Sequence, residues 1–281
     1  MAELSALRNS EELDISPTYD SAPFFFSSLR LRRLPALLRT IGTVGNLRAL
    51  AFLLCFLAAS VALLFVAVLL PLLRHSATGP SASSPRVLAG GIAYFIAIGL
   101  GFLIVEIALV QQLSIFLGEP IYSLAVVLGG LILATGAGSL LSGAIPASSA
   151  GFSRLPAVAA CVAIAAMSTV LVPFIHRYAA LVLWQRAALS LALVTPCGLL
   201  MGGCFPVGLE RMRRLGQEQN LAWMWALNGC ASVLASFLAV VVAMESSLTT
   251  AALLGAGCYA LAALVLPWAG KSELLRSAAG G

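Results

Sequence analysis

The chain has 281 residues, of which 60% are hydrophobic and only 10% charged, with a mean hydropathy of +1.02 and a formal net charge of +5. A soluble domain carries about 25% charged residues, so this composition excludes a water-facing surface over most of the molecule and requires contact with lipid. The basic excess is almost all arginine, with Lys271 the single lysine, and it sits between apolar runs; that placement suits anionic lipid headgroups beside membrane spans and not nucleic acid.

Residues 1–23 hold Glu3, Glu11, Glu12, Asp14 and Asp20, lack the apolar core of a secretory signal, and read as a polar tail. In residues 24–46, Phe24, Phe25 and Phe26 precede Arg30, Arg32, Arg33 and Arg39, and Leu34, Leu37, Leu38 and Ile41 recur at helical spacing behind Pro35. This predicts a short amphipathic helix lying at the lipid interface.

Residues 47–268 form the expected transmembrane domain, because about 20 consecutive apolar residues make a spanning helix. Seven such runs follow: Leu47 to Leu73, Val87 to Leu117, Ile121 to Ile145, Leu155 to Ile175, Ala187 to Leu209, Leu221 to Met244 and Leu248 to Trp268. Backbone groups in lipid must pair within their own segment, so all are helices. The predicted fold class is therefore all-α, a polytopic transmembrane bundle of about seven spans, loosely like half of a major-facilitator-type transporter. Gly118-Glu119-Pro120 is a turn, the stretch from His176 to Arg186 is expected to lie at the interface, and residues 269–281 are a polar C-terminal tail. Trp223, Trp225 and Trp268 fall near span ends, as interfacial anchors do. The basic residues from Arg30 onward divide seven to eight between the two sides, so the usual bias of the first helix favours a cytoplasmic N-terminus.

Glu106 is the only acidic residue inside an apolar run. A carboxylate at the centre of a spanning helix costs about 2.5–3.5 kcal/mol on insertion scales, so it faces the interior, is protonated, or has a partner. It reads as a buried hydrogen-bonding group that fixes packing, or as a cation or proton site. Gln111 and Gln112 are expected to share a polar pocket with it. Asn228, Ser232 and Ser236 recur every four residues and form a polar stripe, which most often ties helices together. Gly130, Gly138, Gly198 and Gly202 permit close helix contact, and Pro206 interrupts its helix.

Six cysteines all lie in apolar runs with no CxxC pair, and the two histidines, His75 and His176, lie outside the spans. No metal site, cofactor, nucleotide-binding loop or catalytic constellation is expected.

The run from Tyr94 through Glu106 to Gln111, continuing through Gly118-Glu119-Pro120, resembles the membrane region of bacterial spermidine synthase-like and SAM-dependent methyltransferase-like transmembrane proteins. So do Ala137 to Ser142, Met201-Gly202-Gly203-Cys204-Phe205-Pro206 to Leu209, and Trp225-Ala226-Leu227-Asn228 to Leu234. Residues 17–26 resemble the linker that follows the soluble domain in that family. The resemblance implies a bacterial inner-membrane protein and gives weight to Glu106, Gln111, Pro120, Pro206 and Asn228. Family members of full length carry a SAM-binding domain that has no counterpart in these residues. The expected role is therefore a non-catalytic subunit in contact with membrane lipids and other subunits, among them a separate synthase-like protein. The alternative is a transporter or channel for a small cationic solute using Glu106.

Overall fold

The computed structural model describes the backbone of residues 45–66, 70–71, 85–143 and 153–279. The tail 1–23 and segment 24–44, with Arg30, Arg32, Arg33 and Arg39, lie outside the described residues, as does the side chain of Trp268. Among the described residues there is no strand. The helices are α1 (Gly45–Leu64), α2 (Pro85–Leu117), α3 (Pro120–Ser142), α4 (Leu155–Tyr178), α5 (Leu183–Arg214), α6 (Leu221–Glu245) and α7 (Leu248–Ala279), with one 3-10 turn, Glu218–Asn220, before α6.

Six of these, α2 to α7, are long and apolar enough to cross a membrane. The chain is an all-α, multi-pass bundle. Seven spans were expected. The first corresponds to α1, whose Leu54–Leu64 stretch is shorter than a full crossing, and part of the remaining run lies outside the described residues. Phe56 of α1 stacks on Phe237 of α6 at 6.5 Å between ring centres.

Local chemistry sets the helix ends. Gly118 closes α2 at φ +87°, where a side chain would be strained, and its N–H bonds the Ser114 carbonyl at 2.9 Å. Pro120 then opens α3, where its missing N–H is not needed. Within α3 the turn Leu124–Leu128 is π-helical, a local widening that hydropathy does not encode.

The expected interfacial segment from His176 to Arg186 is instead mostly helix: α4 continues to Tyr178 and α5 begins at Leu183 after Val182 in extended geometry. Arg186 permits this early start. Its Nη1 donates to the Phe116 carbonyl at 2.7 Å, and this satisfies one of the last, otherwise unpaired carbonyls of α2. The backbone of α7 continues beyond Trp268 to Ala279, so the polar C-terminal stretch is helical over those residues.

Contacts fix the helix directions. Ser232 of α6 meets Gly99 of α2, and Asn228 meets Phe95, a constant offset that makes α2 and α6 parallel. Gly101 lies against Cys258 and Gly255 against Val105, so α7 runs antiparallel to α2. Gly130 faces Leu191 and Gly138 faces Leu199, so α3 and α5 are parallel. Successive helices α2 to α7 thus alternate. Buried alanines Ala235, Ala239 and Ala243 of α6 and Ala251 and Ala252 of α7 close around Ile104 and Ala108 of α2. Without a hydrophobic drive between helices in lipid, such small residues create affinity by close van der Waals approach.

Candidate functional site

A cleft of about 350 Å³ lies where α2, α3, α5, α6 and α7 converge. Ile98 and Phe102 of α2 form its floor with Tyr259 of α7. Thr135, Gly136 and Ser139 line one wall, and Asn228 and Ser232 line the opposite one. Gly202, Phe205 and Pro206 of α5 complete it. Gly136 and Ser139 are exposed, so the cleft opens at the outer face of α3. Ser139 is one turn from the end of α3 at Ser142, so this opening lies close to the helix end.

The polar stripe of α6 divides. Asn228 Nδ2 donates to the Phe95 carbonyl at 3.2 Å, and the single Ser232 hydroxyl proton is shared between the Gly99 carbonyl at 3.2 Å and the Asn228 carbonyl at 3.0 Å. Gly99 makes this possible, since a Cβ there would lie 2.5 Å from the Asn228 carbonyl oxygen. Ser236 does not continue the stripe toward α2. Its hydroxyl turns back to the Val233 carbonyl of its own helix at 2.7 Å, an alternative always open to serine in a helix.

Glu106 is half-buried, and among the described residues no hydrogen bond or ion pair reaches it. Ser123 Oγ donates to the Val110 carbonyl at 2.7 Å, which sets the register of the α2–α3 hairpin. One turn further from the loop on each helix of that hairpin, Glu106 comes level with the π-helical turn Leu124–Leu128. Phe102, a further turn along, lines the cleft; Glu106 does not.

Among the described residues, Glu106, Gln111 and Gln112 do not gather around one pocket. Five or six residues along a helix turn a side chain by about 120–140° away. Gln112 is only 1% exposed and faces α7, where Nε2 donates to Thr249 Oγ1 at 3.2 Å while Oε1 has no partner among the described residues. Gln111 is half-buried on another face.

Gly138 and Gly202 sit where a Cβ would run into the backbone of Leu199 and Thr135 respectively. A Cβ at Gly198 would lie 2.6 Å from Ala134 Cβ, and one at Gly130 would lie 2.5 Å from Leu191 Cδ2. Pro206, inside α5, has no N–H to donate four residues back, so the Gly202 carbonyl lacks its helix partner. Tyr94 of α2 ties to α5 by donating to the Cys204 carbonyl at 2.6 Å. Trp223 is half-buried, whereas Trp225 is 61% exposed and packs edge-on against Phe205 at 4.6 Å.

Sequence reasoning missed Thr135, Ser139, Phe102, Phe205 and Tyr259. The pair Thr135 and Ser139 repeats the four-residue spacing of Asn228 and Ser232, and that signal could have found the second wall. Among the described residues no three His, Cys, Asp or Glu side chains gather as a metal site would need.

No known family model, curated protein or solved structure matches the chain. Its own helices define the class: a polytopic, all-α membrane protein with a small cleft beside one end of the bundle.

Proposed function

We propose that this chain is a non-catalytic integral membrane subunit that anchors partner proteins in a larger assembly, in the inner membrane of a bacterium. The supporting observation is the use to which intramembrane polar side chains are put. Asn228, Ser232, Gln112 and Tyr94 all bond to a neighbouring helix. Such bonds hold a bundle together rather than solvate a passing solute. The resemblance to spermidine synthase-like membrane regions favours a separately made synthase-like protein as partner. Glu106, without a partner among the described residues, is available to a cationic group of another subunit.

Transport of a cation through Glu106 is the second reading. It requires the cleft to extend past Phe102, and the lining stops one turn short.

The arginines at the helix ends suggest an orientation. Arg86, Arg154, Arg211, Arg213 and Arg214 lie at one end of the alternating helices, and Arg177 and Arg186 at the other. Lysine and arginine concentrate on the cytoplasmic side, so the five-arginine end is assigned there. This assignment goes with an α1 that does not cross the bilayer; if α1 crosses, Arg30, Arg32, Arg33, Arg39 and Arg48 join Arg177 and Arg186 and the division returns to seven against eight.

Extraction of the chain from its native membrane into polymer-bounded discs, followed by mass spectrometry, tests the subunit role. Stoichiometric recovery of other chains is expected. A lone chain that accumulates a cation in proteoliposomes and loses uptake on Glu106→Gln would overturn it.

A further inference from the structure

We infer that the cleft between α3 and α6 holds part of one acyl chain of an anionic phospholipid, whose phosphate lies against Arg213. This goes beyond the anchoring role and does not depend on it. The position of the mouth selects a lipid. Ile132, Gly136 and Ser139 line the cleft and are exposed, and all three lie within a helix long and apolar enough to cross the membrane. The mouth therefore opens sideways, toward hydrocarbon. At 1.5 Å per residue it runs from about 5 Å to about 15 Å below the end of α3 at Ser142. Half of a hydrocarbon core about 30 Å thick is about 15 Å, so the mouth covers the depth of the chains of one leaflet.

The lining agrees with a chain. Ile98, Phe102, Met201 and Phe205 supply apolar walls, and among the described residues no carboxylate, arginine or lysine lines the space. A charge inside would be desolvated with no counter-ion. The volume of about 350 Å³ accommodates a stretch of one chain, and the rest of the lipid stays in the leaflet.

Charge at the end of the same groove selects the headgroup. Gly202 and Pro206 line the cleft, and Glu210 and Arg213 continue that face of α5, at intervals of four, four and three residues. Arg213 lies about 10 Å beyond Pro206, at the end of the helix. It commits Nε and Nη2 to the Glu210 carboxylate at 2.9 and 3.1 Å, and Arg214 reaches the same carboxylate at 2.7 Å. One carboxylate thus faces two guanidiniums. Arg213 is 57% exposed, and its Nη1 has no partner among the described residues. Among the described side chains at this end, Arg86, Arg154, Arg211, Arg213 and Arg214 outnumber Glu210 and Glu218, an excess that attracts anionic lipid. Trp225, exposed and packed edge-on against Phe205 of the cleft, lies one turn from the start of α6, as a tryptophan at headgroup level does.

The test is native mass spectrometry of the full chain, delipidated in detergent and titrated with 1-palmitoyl-2-oleoyl phosphatidylglycerol or the matching phosphatidylcholine. One tightly held phosphatidylglycerol per chain is expected, favoured at least about fivefold over phosphatidylcholine. Glycerol 3-phosphate, which carries the charge without the chains, should not displace it. Arg213→Gln should weaken phosphatidylglycerol binding about fivefold, while Arg177→Gln, the same loss of charge at the opposite end, leaves it unchanged. Gly136→Leu fills the mouth, where a Cβ meets nothing within 4 Å, and should weaken binding at least about tenfold. Gly257→Leu, equally unobstructed on α7 but away from the cleft, should have no effect. If Gly136→Leu is not recovered folded, Ser139→Leu on the same wall is read in its place. Equal retention of the two lipids, displacement by glycerol 3-phosphate, equal effects of Arg213→Gln and Arg177→Gln, or unaltered binding with the mouth filled would each overturn the inference.

Discussion

The two sides of α2 are built differently. Toward α6 and α7 it meets alanines, glycines and paired polar groups, and a Cβ at Gly99 or Gly101 would lie 2.5 Å or 3.0 Å from the neighbouring helix. Toward α3 and α5 it meets a π-helical turn, a proline within a helix and an open cleft. The first side depends on small residues at fixed positions, whereas the second tolerates added volume where its surface is open. One chain thus combines a sealed seam with a site that has room for a guest, and the difference lies in where backbone regularity is interrupted.

The largest expected effect breaks the seam. A Cβ at Gly101 already lies 3.0 Å from Cys258 Cβ and 3.2 Å from the Gly255 carbonyl. Gly101→Leu should therefore cost about 3 kcal/mol or more by overpacking, seen as a thermal midpoint lowered by about 10 °C or as loss of the monodisperse species in detergent. Next, Glu106→Leu should raise the midpoint of the isolated chain by several degrees. It removes a carboxyl with no partner among the described residues and relieves part of an insertion cost of about 2.5–3.5 kcal/mol; a fall would reveal an interaction within the chain. Asn228→Leu comes third. It gives up an interhelical bond worth about 0.6–2 kcal/mol in membranes, and the midpoint should drop by a few degrees. Gly136→Leu is the smallest. With open space around its Cβ, its stability should stay within about 0.5 kcal/mol of the parent, as surface changes usually do.

The spans were legible because composition alone forces them, and the α2–α3 turn because Gly118 and Pro120 have local chemistry that ends one helix and starts another. The rotation of each helix was not. In a water-soluble helix the polar face marks the outside, but in lipid both faces are apolar. Leu131 is buried and Leu133, two residues on, is 76% exposed, with nothing in the residue type to tell them apart. The same ambiguity placed Gln112 with Glu106 and Ser236 with Asn228. The early start of α5 depended on Arg186 finding a carbonyl 70 residues away at Phe116, a tertiary contact no local pattern contains. The cleft depends on five helices meeting and was visible only as scattered hydroxyls.

The sealed seam and the open cleft are compared most directly by labelling thiols in nanodiscs with a small ammonium-bearing methanethiosulfonate and quantifying each labelled peptide by mass spectrometry. Ser139→Cys, at the cleft mouth, should react at least about tenfold faster than Ala235→Cys, which is fully buried between α2, α6 and α7. Equal rates at the two positions, or faster reaction at position 235, would contradict the account.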